Sequence, residues 1–200
     1  MKRTLCCRGA LALLAAGATA LLGGCGPADR SGSVLAWVYE GTTEAPNDAA
    51  LRVLPLENLE SLNHLNGRDL DFRAGAGLRQ VIFSDDPPFD RGAALQLAWT
   101  ADAEGRVLAL DEGSLYAMTA YRHLDRAASG LRGLGYVPAG KLDAYVFPFY
   151  DSDLLGDLRT SITDNAGYSE ECRCFLLFPG FVFAGGLPLL ASSGVMAHEY

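Results

Sequence analysis

His198 and Glu199 are the residues of this chain whose types and order most directly indicate chemistry. An imidazole is a common zinc ligand, and a carboxylate beside it can serve as a general base. The pair opens the pattern His-Glu-x-x-His, in which two histidines four residues apart share one helix face and hold zinc. Residues 192–197 are typical of a serine-capped helix start. Since Tyr200 comes two residues before the second histidine would appear, we expect a chain cut inside this motif.

The elements before this pair should form a helix and a sheet that support it. Ser114 is a suitable N-cap, and apolar side chains then recur at three- and four-residue steps, which predicts a helix over residues 114–134. His123 lies off the apolar stripe and is expected to be exposed. A strand is predicted at 142–147. Further along, the segment that begins at Asp164 and the segment 172–178 are predicted to pair as a hairpin.

Residues 34–110 are predicted to form a small β-rich module without a catalytic constellation. Leucines at every third position over residues 56–65 also permit a short helix. His64 stands alone in a polar setting and is interpreted as a surface residue rather than a ligand. The segments 94–100 and 106–110 are predicted to form a hairpin around an Asp-Ala-Glu-Gly turn. Strands are indicated at 34–39, 51–56, 78–83, 94–100 and 106–110.

The first 24 residues resemble a bacterial lipoprotein signal. A basic start precedes an apolar run that is too short to be a stable membrane anchor. The run closes with Leu-Gly-Gly before Cys25, which resembles the lipobox, where the signal is cleaved before the cysteine and a lipid joins its sulfur. An ordinary signal peptide, or a buried helix with an incidental cysteine, is the alternative. Residues 25–33 would then be a flexible tether.

The charge balance narrows the expected partners and location. Loss of residues 1–24 would remove three of the 16 basic residues and no acidic one, leaving 13 basic against 24 acidic and changing the formal net charge from −8 to −11. Such a chain is not expected to bind nucleic acid or anionic lipid surfaces. Gly26 rather than an aspartate follows Cys25, so we expect an outer-membrane anchor where the cell has an outer membrane.

Cys172 and Cys174 are the cysteines that remain in the predicted folded part. In an exported protein the default expectation is a disulfide. A direct bond between residues two apart is expected to be strained, so cysteine partners in a further C-terminal part are expected at least as readily. A Cys-x-Cys metal site would need additional ligands.

The order of elements over residues 114–200 resembles the N-terminal lobe of the gluzincins, the thermolysin-like and fungalysin-like zinc metallopeptidases. Asn165-Ala166 and Ala197-His198-Glu199-Tyr200 carry this resemblance. It implies that His198 is the first zinc ligand and Glu199 the catalytic base. It also implies that Asn165 and Ala166 lie on an edge strand that pairs with extended peptide substrate. The second histidine and the downstream glutamate of these families are not among the 200 residues.

The sequence therefore predicts an α+β protein, an exported and lipid-anchored zinc metalloendopeptidase present here as an incomplete, inactive part. Zinc, a peptide or protein substrate and a lipid-mediated membrane attachment are expected. The alternative is a non-enzymatic surface lipoprotein for binding or envelope assembly, in which the His-Glu pair is incidental or degenerate. The predicted segments are a signal (1–24), a tether (25–33), a β-rich module (34–110) and an incomplete catalytic domain with the N-terminal lobe of a zincin-type fold (111–200).

Overall fold

A computed structural model describes residues 27–42, 45–75, 77–79, 89–152, 156–160, 165–169, 172–178 and 196–197. These residues combine three sheets with one long helix, which confirms the α+β class. The zincin-type attribution stays a prediction. In chain order the elements are β1 (Gly32–Thr42), β2 (Ala45–Ser61), β3 (Asn66–Gly67), β4 (Leu70–Ala74), β5 (Gly77–Arg79), β6 (Phe89–Asp90), β7 (Ala93–Ala94), β8 (Trp99–Ala101), β9 (Val107–Ala109), α1 (Glu112–Gly133), β10 (Leu142–Val146), β11 (Phe149–Ser152), β12 (Gly156–Thr160), β13 (Asn165–Ser169) and β14 (Cys174–Phe178).

The first sheet has the order β3-β2-β1-β9-β8 and contains two of the predicted strands and the predicted hairpin. β1 and β2 pair antiparallel, which confirms strands at 34–39 and 51–56, although both are longer than predicted. β8 and β9 form the hairpin with shorter arms than predicted. Its turn is stabilised by the carboxylate of Asp102, which accepts hydrogen bonds from the backbone N–H groups of Glu104 at 3.1 Å and Arg106 at 2.8 Å.

The short helix that the leucines over 56–65 permitted is wrong. β2 continues to Ser61, and a turn follows at 62–65. Leu56 and Leu59 are both buried although three residues apart, because the pairing with β1 shifts by one residue between them. Asn58 adopts φ +54° at this bulge, a left-handed conformation that asparagine tolerates better than most residues. A bulged strand thus reproduces the three-residue leucine spacing of a helix.

The second sheet, ordered β13-β14-β10-β4-β7, is the one that positions the predicted site. Its three central strands β14, β10 and β4 are mutually parallel, and they supply Phe72, Val146 and Phe175 to the core. β10 and the antiparallel pair β13–β14 confirm the strand at 142–147 and the final hairpin. Strands from both sides of the predicted boundary at residue 110 share this sheet and this core.

A third sheet, ordered β12-β11-β5-β6, completes the described β structure. β5 covers only residues 78 and 79 of the strand predicted at 78–83, and the remainder of that prediction lies outside the described residues. β11 pairs parallel with β5 and antiparallel with β12.

Helix α1 begins earlier than predicted, because Asp111 rather than Ser114 is its N-cap. The Asp111 carboxylate accepts a hydrogen bond from the backbone N–H of Ser114 at 2.6 Å. The hydroxyl of Ser114 accepts one from the backbone N–H of Ala98 at 2.9 Å, which ties the helix to the segment before β8. At the other end Gly135 has φ +91°, and the N–H of Tyr136 reaches back to the Leu131 carbonyl at 3.0 Å. This is the usual glycine-dependent helix ending.

The expectation that His123 is exposed is wrong, since its exposed fraction is 4%. The prediction assumed that α1 buries a single stripe. In the structure α1 contacts β1, β2 and β9 of the first sheet and also β4 of the second, so side chains over a wide arc are covered. Among the residues described, no helix combines the length and apolar character needed to cross a bilayer.

Substitution of Gly67 by alanine is expected to destabilise the fold. A methyl group there would overlap the Tyr121 hydroxyl and lie 2.9 Å from its Cζ and 3.1 Å from the backbone oxygen of Asn58. Overpacking of this kind costs about 1–3 kcal/mol in the free energy of unfolding. Urea unfolding of the full chain followed by far-ultraviolet circular dichroism would measure it.

The matched control is Gly130→Ala, where the added methyl meets nothing within 4 Å. Because Gly130 lies inside α1, alanine should raise the free energy of unfolding by up to about 1 kcal/mol. Equal effects of the two substitutions would contradict the assigned packing of Tyr121.

Candidate functional site

The predicted zinc ligand His198 and general base Glu199 lie outside the described residues, as does Cys25. The two residues directly before the pair are described, and both are helical. Met196 is fully buried in the main core cluster, whereas Ala197 is exposed. The chain therefore enters the His-Glu pair from a helical position that the core anchors.

Asn165 and Ala166 open β13, the outermost strand in the described order of the second sheet. They stand opposite Phe178 and Leu177 of β14. Ala166 is 6% exposed and belongs to the same core cluster as Met196. Its side chain therefore packs inward, and any contact of Ala166 with a peptide would have to use the backbone.

The other two histidines are engaged in other ways. His64 is half-buried, with Nδ1 2.8 Å from the carbonyl oxygen of Leu95 and 3.0 Å from Nε2 of Gln96. His123 is buried in α1. In the described part of the chain, no group of three or more His, Cys, Asp or Glu side chains is arranged to hold a metal ion. A catalytic zinc requires three protein ligands, so His198 would need two further ligands.

A buried ion-paired cluster that sequence reasoning missed joins α1 to the turn before β4. The carboxylate of Asp69 is 2% exposed and accepts hydrogen bonds from Nε and Nη2 of Arg132 and from Nε of Arg68. The hydrogen bonds from Arg132, reinforced by Arg68, hold the pKa of Asp69 below its usual value although burial acts in the opposite direction. The cluster fastens the last turn of α1 to the second sheet.

Asp125, two turns earlier on α1, has its pKa shifted in the opposite direction. The residue is 1% exposed, and its carboxylate accepts hydrogen bonds from Nδ2 of Asn58 at 3.0 and 3.2 Å. Burial raises the pKa of Asp125 to about 6, and the hydrogen bond from Asn58 offsets only part of that rise. Asp125 is therefore a carboxyl group that takes up its proton at about pH 6 rather than near pH 4, and it holds the bulge of β2 against the helix.

A cleft of about 590 Å³ lies beside these two carboxyl groups. Asn58, Arg68 and Arg132 are among its lining residues. Because Asp69 already engages both arginines, we interpret the cleft as the solvent side of a structural clamp rather than as an anion-binding site.

The burial of one of these two carboxylates, Asp125, can be predicted from the sequence. Asp125 occupies the same helical stripe as Tyr121, Leu124 and Ala128, so the periodicity that predicts the helix also marks this residue as buried. No sequence pattern indicates the pairing of Asp69 with Arg132, because 63 residues separate the partners.

Cys172 and Cys174 form a disulfide with each other, and their Cα atoms are 5.2 Å apart. Of the two alternatives left open by the sequence, the structure therefore has the direct bond. Arg173 between them adopts φ +52°, which turns the chain tightly enough for the two cysteines to meet. Cys172 is partly exposed and lines a second cleft of about 740 Å³, whereas Cys174 is fully buried.

Comparisons of this chain with protein-family models, with curated proteins and with solved structures gave no match. The resemblance to the gluzincins therefore stays a prediction that rests on the residues quoted for it.

Asp125→Asn is expected to flatten the pH dependence of stability. The folded-state pKa of about 6 lies above the ordinary 3.8, so the folded state binds this proton more tightly than the unfolded chain does. The resulting stabilisation is fully present below about pH 4 and is lost as the pH rises through about 6, with a span of up to about 3 kcal/mol. Urea unfolding of the full chain at several pH values between 4 and 8 would measure the difference.

Glu104→Gln is the control for this titration, since Glu104 is an exposed carboxylate paired with Arg106 on the β8–β9 turn. It should leave the fall in stability between pH 4 and 7 in place. An equally steep fall in Asp125→Asn would show that another group is responsible.

Proposed function

We propose that the chain belongs to an exported, lipid-anchored zinc metalloendopeptidase, with His198 as a zinc ligand and Glu199 as the general base. The observation that carries the proposal is the helical segment Met196–Ala197, whose first residue is fully buried in the core directly before the pair. Catalytic groups must be held on rigid elements to keep a productive geometry. A buried anchor residue at this point is what such a site requires.

The residues of this chain would divide the work of peptide hydrolysis. Glu199 would take a proton from the attacking water and pass it to the leaving amine. A zinc ion bound by His198 and two further ligands would lower the pKa of that water and polarise the peptide carbonyl. Asn165 and Ala166 would contact the extended peptide, Ala166 through its backbone, which favours tolerance of many peptide sequences.

The lipid on Cys25 would hold the enzyme at the cell envelope, on the outer membrane where the organism has one. With a formal net charge of −11 after loss of the signal, the folded part is expected to reach the membrane through its lipid and not through surface charge. The same balance leaves nucleic acid out of the proposed partners.

The second candidate function is a non-enzymatic binding lipoprotein, which one feature of the first sheet favours. The face of β1 and β9 that points away from the core carries Leu35 and Leu108, which are 51% and 39% exposed. Leu51 on β2, 43% exposed, lies opposite Tyr39 on that same face. Apolar side chains grouped on an outer sheet face are typical of a binding surface.

The two functions predict different effects of Glu199→Gln in a protein that supplies the two further zinc ligands. If the protein is the proposed peptidase, kcat/KM for a fluorogenic peptide should fall by about 10²- to 10⁴-fold, because the general base is lost. The bound zinc should stay, whereas His198→Ala should lose it. Peptide hydrolysis and zinc content by atomic absorption are the measurements.

Glu40→Gln, on β1 and partly exposed, is a matched carboxylate control and should leave both readings unchanged. Residues 1–200 alone should hydrolyse no peptide. Unchanged activity in Glu199→Gln would contradict the proposed role of Glu199. Hydrolysis by residues 1–200 that Glu199→Gln abolishes would contradict the prediction that their zinc site is incomplete.

A further inference from the structure

The two sulfur atoms of the disulfide differ sharply in access. Cys172 is partly exposed and lines the cleft of about 740 Å³. Cys174 is fully buried, stands opposite Asp143 of β10 and Ser169 of β13, and packs against Tyr145. Thiol–disulfide exchange requires a thiolate to reach a sulfur atom, so an incoming thiol can approach only Cys172 in the folded protein.

In this position the disulfide is expected to contribute little to the free energy of unfolding. Cross-links stabilise mainly by restricting the unfolded chain, and the effect grows with the length of the closed loop. This ring encloses a single residue, Arg173. The strand that follows is already held on both sides, by β13 and by β10. A bond that contributes little to the fold, in a solvent-accessible turn, needs another explanation.

The turn contains a residue whose backbone conformation is unfavourable for any residue with a Cβ atom. Arg173 has φ +52°, in the left-handed region that residues other than glycine adopt at a cost. Unfavourable backbone conformations of this kind are concentrated at functional sites, where the surrounding structure maintains them. In this protein the unfavourable conformation is at Arg173, between the two cysteines.

The cleft in front of Cys172 offers groups that suit a peptide thiol. Its described lining includes three cationic side chains and one carboxylate, together with two partly exposed tyrosine rings. Nearby cations favour the thiolate form of a thiol, which is the reactive form. The rings provide apolar walls for a peptide. The cations are Arg91, Lys141 and Arg173, the carboxylate is Asp143, and the rings are Tyr136 and Tyr168.

We propose that Cys172–Cys174 is a thiol–disulfide exchange site for cysteine-containing peptides, independent of the proposed peptidase. The substrate thiolate attacks Sγ of Cys172, the Cys172–Cys174 bond breaks, and the electron pair leaves on Sγ of Cys174, which takes up a proton. A second substrate thiolate then attacks the substrate sulfur of the mixed disulfide and releases Cys172. The substrate dithiol is oxidised to a disulfide, and the protein disulfide is reduced to two thiols. The carbonyl oxygen of Ser169 lies 3.9 Å from Sγ of Cys172 and can accept a hydrogen bond from the thiol of Cys172 once that thiol is released.

The test is to map where reduced glutathione, a tripeptide thiol, reacts in the folded full chain. Tryptic cleavage after Arg173 separates the two cysteines, and Cys6, Cys7 and Cys25 fall on other peptides. After acid quenching and alkylation, mass spectrometry should find glutathione on the Cys172 peptide and a free thiol on the Cys174 peptide. The reaction should proceed without urea. Reduction that begins only at urea concentrations that unfold the chain, or equal labelling of both cysteines, would overturn the proposal.

Single-cysteine variants provide a second, reciprocal measurement. With oxidised glutathione under native conditions, Cys174→Ser should form the mixed disulfide at Cys172 at least about tenfold faster than Cys172→Ser forms it at Cys174. In denaturant the two rates should become equal. Equal rates in the folded state would overturn the proposal. If a variant fails to fold, the mapping on the unsubstituted chain decides alone.

Discussion

The contact between Tyr121 and Gly67 is the constraint on which the rest of the described structure depends. Tyr121 is fully buried, and its hydroxyl donates a hydrogen bond to the Glu57 carbonyl at 2.8 Å. Its ring packs against Phe72 of β4 with centroids 5.6 Å apart. Only a residue without Cβ at position 67 leaves room for it. Burial raises the pKa of the Tyr121 hydroxyl above its usual value, so this donor stays protonated. One side chain thus joins α1 to both main sheets.

The position of α1 decides where the second sheet continues. The helix is the last element of the long connection from β4 to β10, which also contains β5 to β9. β4 and β10 lie side by side and parallel, in register from Leu70↔Leu142 to Ala74↔Val146. Parallel neighbours need a crossover of this kind, and its packing determines where the returning strand lies. β10 in turn supports β14, and β14 supports β13. Each feature with a proposed function, namely Asn165 with Ala166, the disulfide and the buried Met196, therefore depends on how α1 is seated.

Sequence patterns were informative where the determining contacts are local. The 3.6-residue period predicted α1 to within a few residues, and short β-prone runs bounded by turn residues predicted β1, β10 and the final hairpin. They failed where a distant partner decides. The burial of His123 depends on a second sheet that its own stripe cannot reveal, and the leucines around Asn58 reflect a bulge set by pairing with β1. The same limit explains why the candidate site was predicted only in part: Ala166 lies on an outermost described strand, but the inward direction of its side chain follows from packing against the core.

The disulfide and the Asn165–Ala166 segment occupy opposite ends of one hairpin, and this separates the two proposed activities physically. Ser169 pairs with Cys174 at the turn end, and Asn165 pairs with Phe178 at the other, about 14 Å away at the usual rise per residue. Opening the disulfide would free the turn but would not release β14. That strand stays in register with β10 through four consecutive pairs, from Asp143↔Cys174 to Val146↔Leu177. Within the described residues, a change of redox state at Cys172 is therefore not expected to displace Asn165, because β14, which lies between them, is held on its other side by β10.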